Sequence, residues 1–285
     1  MLVVLKQPKF LSSSNYANLT LLLVRIAIGV YLISSTIAGG LLNIVAPMDS
    51  FDVNFETFMI VQGIVGVLML TGLFTRIAAI ALIGLFALTF TAYDLNAMDQ
   101  IMLLGIGCAL FFKGGLRYSL DCLFFGRIQI SRTICKKLSM QCVGSKLFLP
   151  SIRIAFGANL IWLGLVEKIL VPDMFAAVLE KYHLLPIGVN TELAVFGAGF
   201  IELTVGILYL LGIRMRMVSV IMFGILIFTV ITFHESVLAH IAMFAISVVF
   251  VINGKDSLMV IKTDDPMIQI LRKIKNILLL RMYAD

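Results

Sequence analysis

Residues 193–216 read LAVFGAGFIELTVGILYLLGIRMR. From Leu193 to Leu211 there is one carboxylate, Glu202, and the run then stops at Gly212, followed by Arg214 and Arg216. About 20 apolar residues suffice to cross the hydrocarbon core of a bilayer, so this stretch is expected to be a membrane helix. The rest of the chain has the same character. It is 285 residues long, 61% hydrophobic and only 13% charged, whereas a soluble domain is about 25% charged. So few charges cannot cover a water-soluble fold of this size, and disorder is excluded for the same reason. A polytopic, all-α integral membrane protein remains.

Seven further apolar runs accompany the first: Leu19–Leu42, Phe55–Thr71, Ile77–Tyr93, Met98–Phe112, Phe148–Ile169, Met217–Thr232 and Val237–Ile252. Eight runs predict eight transmembrane helices. Of the 22 Lys and Arg residues, all but Lys168 and Lys181 fall on one side when Arg25 and Arg153, near the ends of their runs, are counted there. The opposite connections carry Asp49, Asp52, Glu56, Asp94, Asp99, Asp173, Glu180, Glu192 and Glu235. Basic connections stay in the cytoplasm. The expected location is therefore the inner (plasma) membrane, multi-pass, with N- and C-termini cytoplasmic. The basic residues then serve as topology determinants and lipid contacts, and no nucleic-acid partner is implied. Lys6 and Lys9 precede a run of full length without a small-residue cleavage site, so the first run is expected to remain as an anchor.

A shift of 140 residues places Gly66, Gly72, Arg76, Gly84 and Gly114 on Gly206, Gly212, Arg216, Gly224 and Gly254. A shift of 128 places Arg25 on Arg153 and Gly29 on Gly157. Four spans per unit is an even number, so both units enter from one side and form a parallel repeat of two four-helix bundles. The expected division is a first unit at 1–119, a basic interfacial linker at 120–146, a second unit at 147–258 and an amphipathic tail helix at 259–285. The tail opens on Asp265-Pro266 and mixes Ile270, Leu271 and Ile274 with Arg272, Lys273 and Lys275.

The second unit reads Arg153-x3-Gly157, Leu165-x2-Lys168, Tyr182-His183-Leu184-Leu185-Pro186, Glu202-x3-Gly206 and Leu211-Gly212-x3-Arg216, then His240 and Gly254. In this order it resembles the DoxX/DoxD-like family of compact four-helix membrane proteins and is similar to the related MauE proteins. Two tandem copies cover nearly the whole chain. The resemblance implies membrane redox work: DoxD-type members are subunits of a thiosulfate:quinone oxidoreductase, and MauE-type members assist maturation of a periplasmic redox enzyme. The first unit departs from the pattern, with Gly40, Gln62 and Gln100 at the places of Lys168, Glu202 and His240. Chemistry, if the chain has any, is therefore expected in the second unit.

Glu202 lies near the middle of its run, where a carboxylate is costly and normally faces a polar interior or a partner. It reads either as a proton acceptor or as an interhelical hydrogen-bonding group for which Gln62 is the neutral equivalent. With His240 it forms the candidate catalytic pair, and with Arg153, Asn159 and His240 a candidate quinone-binding set. Plain polar packing is the competing reading. Arg25 and Arg153 are expected to snorkel to phosphates, with a buried carboxylate partner as the alternative. Glu167 and Lys168 read as an interfacial pair. A metal at His183, His234 and His240 is a minor alternative, because His234 and His240 are six residues apart and share no helical face. Cys108, Cys122, Cys135 and Cys142 contain no C-x-x-C, and haem, dinucleotide and phosphate-loop motifs are missing. Two functions follow as expectations. One is a membrane subunit of a redox system that anchors partner subunits and meets quinone through its second unit. The alternative is a non-catalytic structural or assembly subunit of a larger membrane complex.

Overall fold

The structure is a computed structural model that describes residues 13–40, 42, 55–114, 119–121, 141–181, 190–233, 236–254, 256 and 258. Every regular element among them is helical. The first half contains α1 (Ser13–Ile37), α2 (Phe55–Thr71), α3 (Thr75–Tyr93), a 3-10 turn (Asp94–Gln100) and α4 (Ile101–Lys113). The second contains α5 (Gln141–Trp162), continued without a break by a π-helical segment (Leu163–Leu170), then α6 (Asp173–Lys181), α7 (Thr191–Leu211), α8 (Met215–Phe233) and α9 (Val237–Asn253). Eight of these helices coincide with the eight apolar runs. The short α6 occupies the connection between α5 and α7, where the two repeat shifts of 128 and 140 leave twelve extra residues in the second half. Linker residues 122–140 and the tail from 259 lie outside the described residues, as do His183, His234 and Glu235.

Among the described residues, five helical stretches are long and apolar enough to cross a membrane: Asn18–Ile37, Thr75–Tyr93, Lys146–Leu170, Thr191–Leu211 and Met215–Thr232. The protein is thus an all-α membrane protein. Glu56–Thr71 and Val237–Asn253 are apolar but shorter. Large apolar side chains stay exposed along α2, α3, α7 and α8, among them Ile64, Ile77, Ile80, Phe200, Ile221 and Phe228. A surface of this kind suits lipid, which is as apolar as leucine.

Successive helices pack as antiparallel neighbours, α1 on α2, α3 on α4, α5 on α7 and α8 on α9. Two further contacts run between the halves: α4 lies along α5, and α9 lies along α1. One buried cluster contains Ile28 and Leu32 of α1, Leu103 and Ile106 of α4, Ile152 and Phe156 of α5, and Val249 and Phe250 of α9. The two halves therefore share one core. The reason is steric. Gly105 faces Ala155 and Ser151 with no room for a Cβ, so α4 can approach the backbone of α5.

Glycine creates the same close approach inside each half. A Cβ on Gly29 would stand 2.8 Å from the Gly66 carbonyl oxygen, and one on Gly157 would stand 2.9 Å from that of Gly206. These distances are below real Cβ contacts, so α1/α2 and α5/α7 touch backbone to backbone. The α2–α3 and α7–α8 turns also match. Gly72 (φ 70) and Gly212 (φ 73) end their helices in the left-handed region, followed two residues later by Phe74 (φ 49) and Arg214 (φ 46). In the first turn the Asp121 carboxylate accepts hydrogen bonds from the backbone N–H groups of Phe74 (2.7 Å) and Thr75 (3.1 Å).

Candidate functional site

Where α5 gives way to its π-helical segment, Lys168 Nζ donates to Glu202 Oε2 of α7. Their side chains are 10% and 19% exposed, so the ion pair is largely withdrawn from the surface. Glycines make room for it: a Cβ on Gly199 would stand 2.9 Å from the Lys168 Cβ, and one on Gly164 3.1 Å from the Glu202 Cβ. The Phe175 ring of α6 lies over the ammonium, 4.8 Å from Nζ to the ring centroid, an attractive cation–π geometry. Lys168 therefore pairs across helices with Glu202, and the expected pairing with its neighbour Glu167 is replaced. Glu202 is also closer to the end of the bundle than its central place in the run suggests. It meets the last turn before α5 stops at Leu170, while the first two turns of α7 run on beyond.

The corresponding place in the first half is neutral. Gln62 is fully buried; its Oε1 accepts from the Leu42 N–H (2.8 Å), and its Nε2 donates to the Gly40 carbonyl and Thr36 Oγ1, both at 3.1 Å. These bonds close the chain where α1 ends. Tyr31, also buried, donates to the Leu42 carbonyl and lies 3.0 Å from Gln100 Oε1, whose Nε2 donates to Asp99 Oδ2 at 3.3 Å. Burial pushes the Asp99 carboxyl up to about 6, opposed by the Gln100 hydrogen bond. Glu167 precedes Lys168 on the π-helical segment of α5.

Asn159 belongs to the α4–α5 contact. Its Oδ1 accepts from the Met102 backbone N–H at 3.3 Å, supplying one of the partners that the first turn of α4 lacks. Its Nδ2 is buried with no hydrogen-bond partner. Asn159 thus faces α4, while Lys168 faces α7.

The arginines do a different job at the opposite end. Arg153 is 1% exposed. It pairs with Asp256 and donates to the carbonyls of Tyr209 (2.9 Å), Leu210 and Leu258 (3.0 Å). Arg25, equally buried, donates to the Met69 carbonyl at 3.2 Å. Arg216 caps α9 through the Val251 (3.1 Å) and Ile252 (3.4 Å) carbonyls. These cations occupy the negative ends of helices, where four carbonyls lack intrahelical partners. Snorkelling of Arg25 and Arg153 to phosphates is therefore overturned. The quartet of Arg153, Asn159, Glu202 and His240 is not assembled either. Arg153 is separated from Lys168 by fifteen residues of α5, on the order of 20 Å, and its donors are engaged. His240 stands half-buried in the first turn of α9, which packs along α1 and α8, whereas the Glu202 pair lies between α5 and α7.

Among the described residues no cluster of His, Cys, Asp and Glu could hold a metal ion. Lys168 was the partner that sequence reasoning missed as a site residue. A signal existed: Lys168 and Glu202 both replace neutral residues of the first half, Gly40 and Gln62, and a paired gain of opposite charges in lipid points to contact.

Residues 9–149 match the family described as DoxD, the TQO small subunit, and residues 148–235 match DoxX. No curated protein and no solved structure matches. The two matches adjoin, covering α1 to α4 and then α5 to α8, and each has the glycine-paired helices and arginine-capped ends just described. The chain belongs to the DoxX/DoxD-like membrane family.

Proposed function

We propose that the chain is a membrane subunit of a quinone-linked redox system, of the type to which the DoxD small subunit belongs. It is built as two tandem four-helix units with eight spans, and its basic end and both termini lie in the cytoplasm. The first unit is a scaffold with neutral polar contacts. The second carries the working site, and the observation behind this reading is the buried Lys168–Glu202 pair at a π-helical break. Such π-helical turns recur at functional sites, and an intramembrane charge pair marks a substrate or proton pathway by default. Lys168 can donate to a quinone oxygen while Glu202 exchanges the proton that accompanies reduction. His240 remains a second candidate proton carrier on α9. The other subunits dock outside the described core.

The deciding experiment isolates the native complex in mild detergent, identifies its companions and follows quinone reduction. Glu202→Gln is expected to assemble normally and lose activity by about 100-fold, the usual scale for a positioned acid–base group. Normal assembly with unchanged quinone reduction would overturn the catalytic reading and leave a structural subunit. That alternative is favoured by the described residues, nearly all of which lie in the packed helices.

A further inference from the structure

The two halves also differ at their basic ends. In the second half Arg216 and Asn253 are both satisfied. Arg216 donates to the Val251 and Ile252 carbonyls, and Asn253 Nδ2 donates to Thr20 Oγ1 of α1 (3.0 Å) and to the Val249 carbonyl (2.7 Å). The shift of 140 puts Arg76 and Lys113 at these two places, and the shift of 128 puts Phe148 at that of Thr20. The neutral hydrogen bond between α9 and α1 thus becomes, between α4 and α5, a lysine over a ring. Lys113 Nζ lies 4.1 Å from the centroid of the fully buried Phe148. A ring covers one side of an ammonium that carries three donors, and no described residue accepts a hydrogen bond from Lys113. Arg76 adds a second cation at the same helix end. Its Nε lies 3.0 Å from a Cβ built on Gly114, the residue after Lys113, yet it makes no hydrogen bond to a described residue. Both side chains are half-buried. The two carboxylates described at this end are engaged, Asp121 by Phe74 and Thr75 and Asp256 by Arg153. The end of α4 supplies only about half a negative charge, so the corner of α3, α4 and α5 stays positive.

We propose that Arg76 and Lys113 hold the phosphate of an acidic phospholipid at the basic end of α4. Guanidinium and ammonium are common phosphate partners, the first through a planar fork and the second as a point charge. Basic pockets between membrane helices bind acidic headgroups in this way. The neighbouring surface suits the rest of a lipid. Ile77 (61% exposed) and Ile80 (55%) continue along α3 from Arg76, and Gly84, one turn further on, has open space within 4 Å. An acyl chain runs over these residues while Phe148 holds the Lys113 ammonium from the α5 side. The lipid thereby braces the α4–α5 contact between the halves. The α9–α1 contact needs no such brace, because Asn253 and Thr20 close it directly. The site lies at the opposite end of α5 from the Lys168–Glu202 pair and is independent of the redox reading.

The test measures lipid binding to the full chain by native mass spectrometry in a nonionic detergent, with phosphatidylglycerol and phosphatidylcholine as probes. The wild type is expected to bind its first phosphatidylglycerol at least about tenfold more tightly than phosphatidylcholine. Arg76→Gln combined with Lys113→Gln should abolish that preference, and Lys113→Arg should keep it. Arg214→Gln, which removes an exposed cation of the same end, should keep it too. Phosphatidylglycerol should also raise the melting temperature of the wild type and leave that of the double variant unchanged, which separates a lost site from a lost fold. A preference that survives in the double variant, or that falls equally in Arg214→Gln, would overturn the site. Displacement of the lipid by millimolar inorganic phosphate would show a site for the free anion and overturn the lipid assignment.

Discussion

Arg153 is a cation only 1% exposed, and the residues around it show what its charge is for. It satisfies Asp256 and the last carbonyls of α7 together, so removing it strands several acceptors at once. Breaking a buried pair from one side costs about 3–5 kcal/mol. Arg153→Met should therefore lower the melting temperature in detergent markedly, and Arg153→Met with Asp256→Asn should recover part of the loss. Equal losses in the single and double variants would show that the ion pair is not what stabilises this end. Asp99 offers a test with a definite sign. Burial raises its carboxyl to about 6, above the unfolded value of about 3.9. The folded state thus holds a proton that the unfolded chain gives up. Its contribution to stability is complete below about pH 4 and declines as pH rises through about 6. Melting temperature against pH should show this decline in the wild type and a flatter curve in Asp99→Asn. The site was least legible at this scale: Glu202 stood out as a lone charge in an apolar run, but pairing it required knowing which helix faces α7.

Two helix-interior glycines can have opposite roles, and only their neighbours distinguish them. Gly206 of α7 meets the Ile161 N–H and the Gly157 carbonyl at 2.8 and 2.9 Å from a built Cβ, whereas Gly224 of α8 has open space within 4 Å. Gly206→Ala should force α5 from α7, destabilise the protein by about 1–3 kcal/mol as overpacking does and disturb the Lys168–Glu202 pair. Gly224→Ala should be neutral or stabilising by up to about 1 kcal/mol, because Gly is the poorer helix former. Thermal unfolding of the two variants side by side checks this; a matching loss at both positions would contradict the contact. Element boundaries were well legible, since apolar runs end where Gly72, Gly212 and Gly254 take positive φ. The π-helical turn was not, because its hydrophobic period does not differ from that of a regular helix, and α6 was missed although Met174, Phe175, Val178 and Leu179 recur at helical spacing.

At the scale of the whole molecule, α4 against α5 and α9 against α1 make each half a wall of the other. The halves, expressed as separate chains divided between α4 and α5, are expected to be degraded alone and to co-purify when expressed together. Stable, separately soluble halves in detergent would contradict the shared core. Sidedness is checked by single cysteines. One introduced at Glu180 should react with an impermeant thiol reagent from outside the cell, and one introduced at Arg117 only after permeabilisation.

The sequence by itself determined that the chain is a helical membrane protein, where its apolar helices lie and which residues match between its halves. Those properties depend on transfer free energy and local backbone preference, both written in consecutive residues. Which residues meet was decided by the tertiary structure. Arg153 went to helix ends, Asn159 to α4 and Lys168 to Glu202, because in lipid a polar group must find its partner inside the protein, and that partner stands on another helix.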